Sequence, residues 1–213
     1  MTPTLRSFAM PVAALAATLA LASCGSSSNA NHDANGMGGS SSSAPAGGGI
    51  PAVGDKNKAD IAFAKDMIPH HAQAVEMASM ADSQATDPKV KALAAKIKGA
   101  QGPEITQMSG WLTGWGEPVP STGDGHAMSG MSGQTDGMMS ADEMTDLGKA
   151  TGSGFDRMWL KAMVRHHEGA VQMAKTELAE GTNPDAKKLA QAVIDSQSAE
   201  ITEMGTILAA LPG

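Results

Sequence analysis

Twelve consecutive residues, Met67-Ile68-Pro69-His70-His71-Ala72-Gln73-Ala74-Val75-Glu76-Met77-Ala78, return 96 positions later. They come back as Met163-Val164-Arg165-His166-His167-Glu168-Gly169-Ala170-Val171-Gln172-Met173-Ala174. The register holds without a gap beyond the motif. Asp60 falls on Asp156, Pro88 on Pro184, Leu93 on Leu189, Gln101 on Gln197, and Glu104-Ile105-Thr106 on Glu200-Ile201-Thr202. A unit of this size is a supersecondary element that cannot bury its apolar face alone. Two such units packed face to face would bring both double histidines into one core.

Each unit reads as a helical hairpin. Phe63, Met67, His70, Ala74 and Met77 recur at spacings of four and three, a helical stripe. Asn57, with Asp60 three residues on, caps a first helix from about Lys56 to Ser83. Pro69 inside it predicts a kink just before the histidines. Asp87-Pro88 opens a second helix that reaches Trp111-Leu112, with Gly99, Gly102 and Pro103 expected to interrupt it. A third helix runs from about Gly154 to Glu180, and Asn183-Pro184 opens a fourth that ends near Ala210. Between the hairpins, Ser140-Ala141-Asp142-Glu143 is a capping-box pattern for a short helix over about 140–150. The stretch from about 113 to 139 is rich in Gly, Ser and Met, and loops this long are functional or disordered. With no tyrosine and 3% aromatic residues, alanine and methionine must fill the core, which favours helices. The expected fold is all-α: an antiparallel four-helix bundle over 55–213, built from repeats at about 56–112 and 152–210.

The N-terminal region has a different composition. Residues 1–23 read as a secretory signal, with Arg6 the one charge and an apolar run from Met10 to Ala22 too short to span a bilayer. Leu21-Ala22-Ser23-Cys24 resembles the bacterial lipobox, which predicts lipidation of Cys24 and attachment to the extracytoplasmic face of the cell membrane. Residues 24–54 follow as a Gly/Ser-rich tether. Cys24 is the single cysteine, so neither an intramolecular disulfide nor a thiolate cluster can form. The formal net charge of −7, with scattered lysines, gives no footprint for nucleic acid.

The residues that carry chemistry lie on the helical stripes. Met67, His70 and Met77 share one face of the first helix, and Met163, His166 and Met173 the matching face of the third. His71 and His167 fall at the edge of that stripe. Glu104 and Met108, with Glu200 and Met204, add accessory donors from the second and fourth helices. Thioether sulfur is soft and uncharged and imidazole is borderline, a set suited to Cu(I) and, by the same softness, Ag(I). Outside the cytoplasm, where thiols oxidise, methionine and histidine are the practical copper ligands. A methionine stripe also serves as gap-filling core. Four buried imidazoles without a function would cost desolvation, unless they form a packing network with Glu104 and Glu200. In the central loop His126, Met128 and Met131, followed by Met138 and Met139, form a second Met/His-rich segment and an accessory metal site.

The two double-histidine motifs, the Phe155-Asp156-Arg157 lead-in and the Trp111-Leu112 and Trp115-Gly116 ending resemble the family known as domain of unknown function 305, over about residues 56–211. The resemblance implies a ferritin-like four-helix bundle in secreted or lipid-anchored bacterial proteins, some of them associated with binding of, and resistance to, copper or silver. Carried over by position, it marks Met67, His70, His71, Met77, Met163, His166, His167 and Met173. Ferritin-type di-iron sites need a Glu-x-x-His pair on each of two helices, and no glutamate precedes these histidines by three residues. The expected function is therefore a non-enzymatic Cu(I)/Ag(I) buffer or chaperone, with other copper-handling proteins as partners. The alternatives are a ferritin-like oxidase and a metal-free helical surface adaptor.

Overall fold

The computed structural model describes residues 54–122 and 137–212. The expected signal segment, Cys24 with most of its tether, and His126, Met128 and Met131 lie outside the described residues. Five helices follow one another: α1 (Lys58–Gln84), α2 (Pro88–Gly114), α3 (Ala141–Lys149), α4 (Gly152–Glu180) and α5 (Pro184–Ala210). The caps anticipated from sequence set their starts. Asn57 accepts from the amides of Ala59 and Asp60 while the Asp60 carboxylate accepts from the Asn57 amide, a closed capping box. Asp87 and Asn183 cap α2 and α5, each ahead of a first-turn proline. Ser140 and Glu143 form the capping box of α3.

One expectation fails. α2 is not interrupted at Gly99, Gly102 or Pro103 and stays helical to Gly114. Glycine and proline in a helix interior cost about 1 and 3 kcal/mol respectively. Here the carbonyl four residues before Pro103 belongs to Gly99, where a side chain would meet open space. The opposite face of α2 buries Ile97, Gln101 and Met108, and tertiary packing of that face overrides propensity. α1 likewise runs through Pro69 as one helix.

The four long helices form an antiparallel bundle of two repeated hairpins, α1–α2 and α4–α5, with α1 and α4 as the main contact between them. The buried apolar residues fall into two clusters. One joins the C-terminal half of α1 and the start of α2 (Met77, Leu93, Ile97) to the start of α4 and the end of α5 (Trp159, Met163, Met204). The other joins Phe63, Met67, Met108 and Leu112 to Ala170, Ala174, Leu189 and Val193. Residues 96 apart thus occupy matching places in opposite clusters, as a pseudo-twofold axis between antiparallel α1 and α4 requires. Between the clusters each long helix contributes polar residues, so the bundle is divided by a buried polar layer.

Two aspartates lock the ends of this arrangement. Asp60 in α1 accepts from the Thr182 and Asn183 amides and the Thr182 hydroxyl at the start of α5. Its counterpart Asp156 in α4 accepts from the Thr86 and Asp87 amides and the Thr86 hydroxyl at the start of α2. Both are buried, and each ties one hairpin to the turn of the other. Deleting the Asp156 carboxylate would strand several donors with little access to water, at 1–3 kcal/mol apiece. Asp156→Ala is therefore expected to lower stability by about 2–3 kcal/mol in a urea titration, without loss of helix content at 25 °C.

Candidate metal centre

The polar layer consists of His70, His71 and Gln73 from α1, Gln101 and Glu104 from α2, His166 and His167 from α4, and Gln197 and Glu200 from α5. The His70 and His166 rings meet across the α1–α4 seam with centroids 3.8 Å apart and planes inclined by 41°. They face each other across the bundle axis rather than solvent. That spacing leaves no room for an ion between the ring faces, so a metal would be met at the ring edges, where the nitrogen lone pairs lie.

Sequence periodicity puts His71 and His167 at the edge of the stripe, yet both are fully buried. The reason is a carboxylate on the neighbouring helix. His71 Nε2 lies 2.8 Å from Glu104 Oε2, and His167 Nε2 lies 2.9 Å from Glu200 Oε2. Glu104 and Glu200, expected as accessory donors, are thus placed against the imidazoles, where they can orient them. With the Nε2 proton directed at the carboxylate, Nδ1 carries the lone pair. In both rings that atom is buried without a hydrogen-bond partner. A carboxylate that fixes tautomer and ring orientation in this way typically changes metal affinity 10–100-fold. Glu104→Ala and Glu200→Ala are each expected to weaken Cu(I) binding by about that factor in a chelator competition titration.

Neither ring nitrogen of His166 makes a well-aligned hydrogen bond. Burial pushes its pKa well below the usual imidazole value, and the neighbouring His70, His167 and His71 add to the shift. The His70 backbone is close enough only to offset a little of it. Burial also lowers His167, in part offset by Glu200. The Gln101 and Gln197 side-chain oxygens are likewise buried without a donor. Unpaired buried polar atoms are costly, and here lone pairs from both hairpins collect in one layer. Uncharged imidazole nitrogens fit a soft monovalent cation. Among the described residues no group of three or more His, Cys, Asp or Glu side chains is placed to hold a metal. Completing a coordination sphere therefore calls on the thioethers.

Those thioethers do not converge at one point, as the shared stripe had implied. Met77, Met163 and Met204 are buried on one side of the layer, and Met67 and Met108 on the other. Met173 is only partly buried. In the antiparallel register Met77 lies opposite Trp159, whose indole donates to the Met77 carbonyl at 2.9 Å. Met173 packs from the edge against the cluster that holds Phe63. Of the loop methionines, Met139 is buried in the cluster with Met77 and Met163, and Met138 is half-buried.

Residues 60–208 match the family model described as Domain of unknown function (DUF305). No curated protein sequence matches the chain. Among solved structures, a DUF305 protein from Streptomyces coelicolor is 36% identical, covering 71% of this chain and 92% of its own, with a TM-score of 0.64. CopM in its Cu(II)-bound form is 37% identical, covering 70% of this chain and 95% of its own, with a TM-score of 0.60. CopM has also been seen in Cu(I)-bound and Ag-bound forms. A DUF305 fragment from Deinococcus radiodurans is 28% identical, covering 74% of this chain and 100% of its own, with a TM-score of 0.66.

Proposed function

Because this chain belongs to the DUF305 family, we propose that it is an extracytoplasmic, lipid-anchored metal-binding protein that holds Cu(I), and Ag(I) by the same chemistry, as a buffer or chaperone. The observation that carries this reading is the meeting of His70 and His166 between the two hairpins, with the unpartnered Nδ1 atoms of His71 and His167 in the same layer and buried thioethers on either side. His70, His71, His166 and His167 supply nitrogen, and Met67 and Met163 are the nearest sulfur donors along the same helices, with Met77 and Met173 further on. CopM, similar over nearly its whole length, takes Cu(I), Cu(II) and Ag. The Streptomyces coelicolor relative is named as a secreted protein, in keeping with the signal and Cys24.

We favour binding over turnover. The two carboxylates in the layer are engaged at His71 and His167 Nε2, which directs them to orienting ligands instead of bridging a pair of irons. A surface adaptor would draw on an exposed apolar patch. Among the described residues, Val119 and Met158 are the large apolar side chains left exposed. The test is an anaerobic competition titration of the mature chain against a Cu(I) chelator, followed by thermal melting with and without Ag(I). Tight binding with a rise in melting temperature is expected. No competition with the chelator and an unmoved melting temperature would sink the proposal.

A further inference from the structure

The polar layer is symmetric but for one feature. Gln73, next to the first double histidine, has Gly169 as its counterpart beside the second. The Gln73 carboxamide is buried and makes both of its hydrogen bonds to one backbone residue. Its Nε2 donates to the Met139 carbonyl and its Oε1 accepts from the Met139 amide, each at 2.8 Å. Two residues earlier, Gly137 adopts a φ of 86° and presses against the α4 backbone at Arg165 and His166, where a Cβ would collide with the Arg165 carbonyl oxygen. Downstream, Glu143 of α3 pairs with the Arg165 guanidinium at 2.7 Å. Residues 137–139 are thus strapped across the α1–α4 seam at the level of the His70–His166 pair.

Successive side chains of a non-helical strap point to different sides. Met139 enters the cluster that holds Met77 and Met163, and Met138 stays half-buried at the rim. Met139 alone could be gap-filling core. A bidentate amide clamp on its backbone, found on one flank of the layer and matched by glycine on the other, is more than packing requires. We infer that Gln73 is a positioning residue that sets Met138 and Met139 as a pair of thioether relay ligands for a soft monovalent cation. Through them the ion passes between the rim and the histidine layer, and the passage is one-sided. This rests on the metal-binding function proposed above and adds to it the route and the residue that fixes it.

The probe is Ag(I), diamagnetic and stable in air, added to the mature chain carrying 13C-methyl methionine and followed by NMR. In the wild-type chain the Met138 and Met139 methyl signals should shift below one equivalent, together with that of Met163. In Gln73→Leu the Met163 response should persist, and the Met138 and Met139 responses should fall to less than half. A purely structural glutamine would not separate these responses. If Gln73→Leu does not fold, Gly137→Ala displaces the same strap and should give the same separation. Met163 responding while Met138 and Met139 stay silent in the wild-type chain would overturn the relay and leave the metal-binding function standing. An unchanged Met138 and Met139 response in the variant would overturn the role of Gln73. No methionine shift at all would overturn the metal-binding function, and the relay with it.

Discussion

Replacing His70 and His166 together by leucine is expected to abolish tight Cu(I) binding, by more than about 100-fold, and His166→Leu alone is expected to melt no lower than the parent. The two outcomes have one cause. The ring centroids lie 3.8 Å apart inside a layer where neither His166 nitrogen makes a well-aligned hydrogen bond. A histidine kept for stability would have its nitrogens satisfied, and its loss would strand a partner at 1–3 kcal/mol. At position 166 leucine fills the volume and removes polar atoms without a well-formed partner, a change that is near neutral or stabilising when packing is preserved. Alanine would be the poorer probe, because the cavity alone costs roughly 2–5 kcal/mol. Loss of a first-sphere ligand should exceed the 10–100-fold effect of an outer-sphere partner. The measurements are the chelator competition titration of the double variant and a thermal melt of His166→Leu. Unchanged affinity would move the site away from the layer, to the loop histidine and methionines His126, Met128 and Met131.

The duplicated motif made the fold readable, because a repeat whose apolar stripe includes histidine has to bury that stripe against its copy. Caps at Asn57, Asp87, Ser140 and Asn183 were legible for the same local reason: each side chain accepts from amides two or three residues away. Two kinds of feature were not. Periodicity resolves a face only to about one residue step, so it left His71 and His167 at the edge. Their burial is decided by Glu104 and Glu200, 33 positions downstream on another helix. Propensity misjudged α2 at Pro103, because the relief comes from Gly99 one turn earlier and from the packed opposite face. The signal overlooked was failure of the repeat. Gln73 against Gly169 marks the strap, and Glu177 against Ala81 marks a second asymmetric feature.

Glu177 bears on the other large effect expected, a stability maximum near pH 6.5 that falls away on both sides. It is buried at the end of α4, its carboxyl filling the space a Cβ on Gly181 would need. Burial, then the contact with Asp60 and its negative charge, push its pKa up to about 8 against a small opposing effect of Lys187. At neutral pH it is therefore protonated, which lets it donate to the neighbouring Asp60 carboxylate; ionised, its buried oxygens would have no partner. Burial would raise Asp60 too, but the Asn57 and Asn183 amides, with Glu177 and Thr182, hold it below its usual value. A raised carboxyl pKa means the native state binds the extra proton. Its contribution is complete below about 4.5 and is lost as pH climbs through about 8. His166 and His167 act in the other sense: their lowered values make the unfolded chain the proton acceptor below about 6.5, so stability falls with acid. Each group has a limiting slope of about 1.4 kcal/mol per pH unit. Two imidazoles outweigh one carboxyl below pH 6.5, and above it the carboxyl outweighs what remains of the imidazole titration. Melting curves from pH 5 to 9 should therefore peak near 6.5, with about 1 kcal/mol lost by pH 8. Glu177→Gln, which can still donate to Asp60 but cannot ionise, should flatten the alkaline limb and leave the acid limb in place. An alkaline limb that survives the substitution would mean that Glu177 is not the group that titrates.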